Sequence, residues 1–134
     1  MKKFILYISI LLSIFSCSSK EILTPQEVNE TVFVGSGDSN FYALDAQTGI
    51  QKWIFTGNSG MNSSAISDGI VYVHEGSSIL YALNISDGSK QWEFKTSSII
   101  RNSPFINKGT LYTAMGGSYS LVSRMYVLDS KTGT

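Results

Sequence analysis

Few residues in this 134-residue chain carry chemistry, and their spacing limits what they can do. There is one histidine, His74, and one cysteine, Cys17. A charge-relay base needs a nucleophile beside it, yet the sequence holds no Gly-x-Ser-x-Gly elbow. A zinc site needs three or four ligands, which a lone histidine with one distant cysteine does not supply. His74 precedes Glu75 and the polar run Gly76-Ser77-Ser78, so it reads as a loop-edge histidine whose removal costs within about 0.5 kcal/mol. Asp38, in Gly35-Ser36-Gly37-Asp38, lacks the alternating carboxylates of a calcium loop. Asp45, Asn84 and Asp129 occupy corresponding places ahead of a glycine, where Asx side chains close local turns. Arg101 and Arg124 are the only arginines, and Arg101 precedes a short apolar run from which it could face a central channel or a partner. No catalytic, cofactor-binding or metal-binding residue is expected from this set.

The elements that position these residues are written as repeats. Val71-Tyr72-Val73, Tyr81-Ala82-Leu83-Asn84, Asp87-Gly88 and Trp92-Glu93-Phe94 answer, at a constant offset of 39, to Val32-Phe33-Val34, Tyr42-Ala43-Leu44-Asp45, Thr48-Gly49 and Trp53-Ile54-Phe55. A third copy runs through Leu111-Tyr112-Thr113, Tyr126-Val127-Leu128-Asp129 and Thr132-Gly133, with its offset growing from 40 to 45. The added residues fall in Gly116-Gly117-Ser118-Tyr119-Ser120. Apolar residues alternate over short runs between Gly, Asn, Asp and Ser clusters, which specifies strands and not helices. In the middle unit the strands are expected at Ser63–Ile66, Ile70–Val73, Ile79–Leu83 and Lys90–Phe94. Asp68-Gly69 suits a tight hairpin. A period near 40 with four short strands per unit marks propeller blades.

Within a unit, Tyr81 and Leu83 share one face while Ala82 points to the other, where a small residue lets the next blade approach. Trp53 and Trp92 each stand two before a phenylalanine on the same face. A buried indole removes on the order of 150–250 Å² from water, the largest single packing contribution expected in a blade. Tyr42, Leu44, Gly49, Trp53, Tyr81, Leu83, Gly88, Trp92, Tyr126, Leu128 and Gly133 are therefore expected as structural repeat positions. The alternative for the tryptophans is a ligand-stacking platform.

The chain starts with Met1-Lys2-Lys3 and an apolar run from Phe4 to Phe15. That run is shorter than the roughly 20 residues that cross a bilayer and fits a secretory signal over residues 1–16. Ile14-Phe15-Ser16-Cys17 resembles a bacterial lipobox, in which the cysteine becomes the lipid-bearing first mature residue. An ordinary signal peptide with an incidental cysteine is the alternative. Cys17 has no disulfide partner in the sequence, which favours a chemical use for it. An acylated Cys17 would hold the chain on a membrane surface, with residues 17–30, including Pro25, as a tether. Loss of Lys2 and Lys3 leaves eight basic against ten acidic residues and no basic run, which disfavours nucleic acid. In such a protein the Asn-x-Ser/Thr sites at Asn29, Asn62 and Asn84 read as turn residues.

The pattern Val-Tyr-Val, Tyr-Ala-Leu-Asp, Thr-Gly, Trp-x-Phe and, later, Ser103-Pro104 resembles the quinoprotein (PQQ-type) β-propeller repeat. The resemblance covers about residues 31 to 133. It implies an all-β, partial propeller of about three four-stranded antiparallel blades, at about 31–56, 63–95 and 102–134, with the first and third incomplete. The family includes quinone-dependent dehydrogenases, whose PQQ and calcium ligands have no matching residues here. It also includes non-enzymatic scaffolds such as the BamB-type lipoproteins of outer-membrane protein assembly. The expectation is a lipid-anchored, extracytoplasmic scaffold of the bacterial envelope, binding protein partners through blade edges and loops. The alternative is the start of a PQQ-dependent oxidoreductase whose cofactor residues lie beyond Thr134. Closure of four to eight blades needs on the order of 160 to 320 residues, so the chain reads as the N-terminal part of a longer protein or as a unit that completes a ring with other copies.

Overall fold

The computed structural model describes residues 30–76, 78–97, 99–100, 102–116 and 124–134. The expected signal and tether up to residue 29, with Cys17 and Asn29, as well as Arg101 and residues 117–123, lie outside them.

Ten strands form among the described residues: β1 (Thr31–Gly35), β2 (Asn40–Asp45), β3 (Gln51–Thr56), β4 (Met61–Ser67), β5 (Ile70–Glu75), β6 (Ile79–Asn84), β7 (Lys90–Lys95), β8 (Phe105–Asn107), β9 (Thr110–Met115) and β10 (Arg124–Asp129). They make three antiparallel sheets in the orders β1-β2-β3, β4-β5-β6-β7 and β10-β9-β8. Among the described residues the middle blade has four strands and the first and third have three each. β4 extends past the expected Ser63–Ile66 at both ends, and β5 runs on through His74 and Glu75, which the sequence reading places at a loop.

The repeat is exact enough to carry its irregularities. Valine and tyrosine columns pair alike in the first two blades, with Val34 opposite Tyr42 and Val73 opposite Tyr81. The register shift in the outer pair recurs between Ala43 and Leu44 and again between Ala82 and Leu83. Asp68 (φ 51°) and Gly69 (φ 76°) make the β4–β5 hairpin with positive φ at both central residues, the geometry that twists two strands together.

Each blade buries one face against the next. Phe41, Ala43 and Trp53 of the first blade pack on Val71, Val73, Tyr81 and Leu83 of the second. The opposite face of the second blade, with Ile70, Tyr72, Leu80 and Ala82, packs on Leu111 and Leu128 of the third, with Ile100 between. Alternation along β5 and β6 sorts neighbouring residues into the two interfaces, so both faces of these strands are dry. Ala43 and Ala82 are fully buried in them, as expected of the small residue at that position.

Candidate functional site

Both tryptophans reach across an interface to the turn that follows the third strand of the next blade. Trp53 Nε1 donates to the Ile85 carbonyl at 3.0 Å, and Trp92 Nε1 donates to the Ser130 carbonyl at 3.1 Å. Their rings lie on Gly88 and Gly133. The phenylalanine two residues on meets a tyrosine edge-on in both cases, Phe55 with Tyr81 and Phe94 with Tyr126, at 5.0 Å between centroids. The tryptophans, one buried and one half-buried, are packed between blades.

The corresponding turns of the three copies are closed by Asx side chains, with one pattern in the first and third copies and another in the second. Asp45 Oδ1 accepts from the Thr48 amide and hydroxyl, and Asp129 Oδ1 does the same with Thr132. Asn84 Oδ1 accepts from the Ser86 amide and hydroxyl, and Asp87 Oδ1 from those of Ser89. These hydrogen bonds hold the carboxyls of Asp45, Asp87 and Asp129 below the usual carboxylate range. The Asx positions are structural, as their repetition suggests. Asp38 accepts the Tyr42 hydroxyl at 2.7 Å, which with bonds from Ser36 and Asn40 drives its pKa far down. It closes its own hairpin.

His74 and Glu75 are where the sequence reading fails. His74 is 3% exposed inside β5, on the face of Tyr72, and neither ring nitrogen has a hydrogen-bond partner among the described residues. Burial holds its pKa below the ordinary imidazole value. Glu75, on the opposite face, is fully buried; its carboxylate accepts the Tyr81 hydroxyl at 2.8 Å and the Asn58 amide at 2.9 Å. It ties the crossover from the first blade to the third strand of the second. Burial, then the Glu75 contact, raises the Tyr81 pKa. The first copy has Gly35-Ser36 at these places, so no repeated column marked them.

Among the described residues, no group of three His, Cys, Asp or Glu side chains is placed to hold a metal ion. Six of the exposed large apolar residues lie on the faces of the first and third blades that point away from the second. Val32, Val34 and Ile54 are 40–47% exposed on the first blade; Phe105, Met125 and Val127 are 55–67% exposed on the third. Four of them are register counterparts of residues buried inside. Val32 and Val34 match Val71 and Val73, and Met125 and Val127 match Leu80 and Ala82. Arg124 opens β10 beside this second face, paired with Met115.

The family model for outer membrane protein assembly factor BamB matches residues 15–98 and, in a second register, 56–134. The chain belongs to this PQQ-type β-propeller repeat family. A search of curated proteins found no match. Among solved structures it is similar to BamB from Moraxella catarrhalis, with 22% identity over 81% of this chain and 33% of that one, and a TM-score of 0.65. A europium-containing methanol dehydrogenase gives 22% identity over 79% of this chain and 22% of that one, TM-score 0.70. A quinohemoprotein alcohol dehydrogenase from Pseudomonas putida gives 23% over 79% and 18%, TM-score 0.67. The chain thus spans a third or less of these BamB-like and dehydrogenase propellers, and at such identities the likeness is one of fold.

Proposed function

We propose that this chain is a lipid-anchored, extracytoplasmic propeller segment that serves as a protein-binding scaffold in envelope or outer-membrane protein assembly. The observation that carries the reading is the exposed apolar surface of the first and third blades, where Val32, Val34, Met125 and Val127 match residues used internally to hold blade on blade. Among the described residues β1 and β10 are edge strands of their sheets, and a partner strand can pair with such an edge. The family match supports an envelope setting. Cys17, after its lipobox-like run, supplies the anchor in this reading, and neither PQQ nor calcium takes part.

A photo-crosslinking amino acid at Val32 or Val127, with Ser86 on an exposed turn as control, tests the scaffold. Crosslinks to envelope proteins confined to Val32 and Val127 are expected; equal capture at Ser86, or none, overturns it. Cys17→Ser should move the chain from the membrane to the soluble fraction. Added PQQ with calcium should leave the melting temperature unchanged, since a ligand raises it only by binding the folded state. A rise would favour the oxidoreductase reading.

A further inference from the structure

We infer that the joint between the second and third blades is a pH-sensitive latch: a proton on His74 loosens it, while the joint between the first and second blades stays closed. The inference goes beyond the scaffold reading and does not depend on it.

Adjacent residues of β5 serve different joints. Alternation puts His74 on the face of Tyr72, toward the third blade, and Glu75 on the face of Val73, toward the first. Glu75 has both carboxylate oxygens bonded, to the Tyr81 hydroxyl and the Asn58 amide. His74 is 3% exposed, and neither ring nitrogen has a partner among the described residues. The facing strand adds a second such group. Thr113, two residues beyond Leu111 on the same side of β9, is 2% exposed, and its hydroxyl also has no partner among the described residues. The first joint is closed by a satisfied polar group; the second seals an imidazole and a hydroxyl away from water.

The repeat shows how close the blades come at this column. The first copy has Gly35 where the second has His74, and a Cβ on Gly35 would stand 2.7 Å from the carbonyl oxygens of Met61 and Asn62 at the start of β4. In the second copy a whole imidazole takes that place, and the inner strand of the third blade begins late. Ile100 is the counterpart of Met61 at the offset of 39, and both are buried. Yet β4 starts at Met61, whereas β8 starts only at Phe105. The ring stands where the first joint has strand backbone.

Among the described residues of the surrounding strands, no free counter-charge meets a protonated ring. On β5, the Tyr72 hydroxyl is donated to the Ser130 carbonyl at 3.0 Å, and Glu75 is turned to the other joint with its oxygens engaged. β4 and β8 carry no titratable side chain. On β6 the residue opposite His74 is Leu80, and Tyr81 faces the first blade. On β9 the only titratable group is Tyr112, on the side away from Leu111 and Thr113. On β10, Arg124 and Tyr126 share the side of Leu128, and the Asp129 carboxylate is taken up by its own turn. Arg101, ahead of β8, lies outside the described residues. The charge that β10 brings to this side is thus a cation, which opposes a second one. Burial alone already holds the His74 pKa below the ordinary imidazole value. A buried, unpaired cation is costly, and the cost is relieved when water reaches the ring. Admitting that water means parting the third blade from the second.

The two tryptophans report the two joints separately. Trp53 sits in the first through its bond to Ile85; Trp92 sits in the second through Ser130, its ring 5.8 Å from that of Tyr72. The test is ¹⁹F NMR of the full chain carrying 5-fluorotryptophan, with the two signals assigned by Trp53→Phe and Trp92→Phe. As the pH falls from about 7.5 to about 5, the range in which an imidazole takes up a proton, the Trp92 signal should move toward the position of free 5-fluorotryptophan. Its solvent isotope shift between H₂O and D₂O should grow, while the Trp53 signal keeps its place. In His74→Leu neither signal should move, and the Trp53 signal verifies that the variant folds. His74→Gln, polar but unable to take a proton in this range, is the second variant and should be equally flat. A Trp92 signal that stays in place in the wild-type chain overturns the latch, as does one that still moves in either variant. Movement of Trp53, alone or together with Trp92, overturns it too, because the proton would then act on the fold as a whole and not on one joint.

Discussion

The ring of Trp53 lies on the Cα of Gly88, so close that a Cβ built on the glycine would stand 2.6 Å from ring carbon Cε3. Trp92 and Gly133 repeat the contact with a closest approach of 2.8 Å. The glycine is needed twice over: its φ is left-handed, and its missing side chain is the floor of the neighbouring blade's tryptophan site. Gly88→Ala should therefore cost about 2–4 kcal/mol, combining backbone strain with a displaced ring. Gly109→Ala, with similar φ and free space, should cost only about 1 kcal/mol. Urea melts of the two variants check this, and equal losses would mean that the ring contact contributes little.

Removing the rings tests the same joint from the other side. Trp53→Ala should destabilise by about 3–5 kcal/mol, since the side chain is buried and its loss leaves a cavity between blades. Trp92 is half-buried, so Trp92→Ala should fall at or below the lower end of that range. Phenylalanine at either place keeps most of the packing and gives up the N–H bond to Ile85 or Ser130, a loss of about 1 kcal/mol. Thermal melts rank the four variants. A smaller loss for Trp53→Ala than for Trp92→Ala would contradict the burial.

The columns that recur were legible in the sequence. The offset of 39 places Tyr42 with Tyr81 and Trp53 with Trp92, and alternation then assigns Tyr81 and Ala82 to opposite faces. That each Trp sits on a glycine of the next copy was present as two fixed columns, but their contact depends on how blades stack, which no local pattern encodes. His74 and Glu75 were illegible for a different reason. Gly35 and Ser36 stand there in the first copy, and a polar pair before Gly76-Ser77-Ser78 has the composition of a loop. Their burial comes from neighbouring blades covering both faces of β5, so it belongs to the tertiary structure.

His74 gives the fold a pH dependence of known sign. Burial depresses its pKa in the folded chain below the ordinary value of about 6.5. The unfolded chain takes up a proton where the folded chain does not. Stability is then complete above about pH 6.5 and is lost as pH falls through the folded value. The carboxylates with depressed pKa values, Asp38, Asp45, Asp87, Glu93 and Asp129, lose their contribution only below their unfolded values near pH 4. With a single histidine in the sequence, the interval from pH 6.5 to 5 reports on His74. His74→Leu should flatten the stability profile there and be neutral or stabilising at pH 7, because it replaces an unpartnered polar ring with an apolar group. An unchanged slope in that variant would rule His74 out as its source.

Glu75 should be the most sensitive polar position between the first two blades. Its carboxylate is the acceptor for both the Tyr81 hydroxyl and the Asn58 amide, and it has no exposure to water. Glu75→Ala removes both bonds and strands a buried phenol, at a cost of about 2–4 kcal/mol. Glu75→Gln keeps one acceptor oxygen for the phenol but presents an N–H₂ to the Asn58 amide, so about half of that loss is expected. Tyr81→Phe alone removes one donor and should cost about 1 kcal/mol. The double variant Glu75→Ala, Tyr81→Phe no longer has an unsatisfied hydroxyl, so it should be less destabilised than the two single losses added together. A double-mutant cycle from urea melts measures that coupling. A coupling near zero would mean that the carboxylate is held by the crossover amide alone, and that Tyr81 contributes through its ring contact with Phe55.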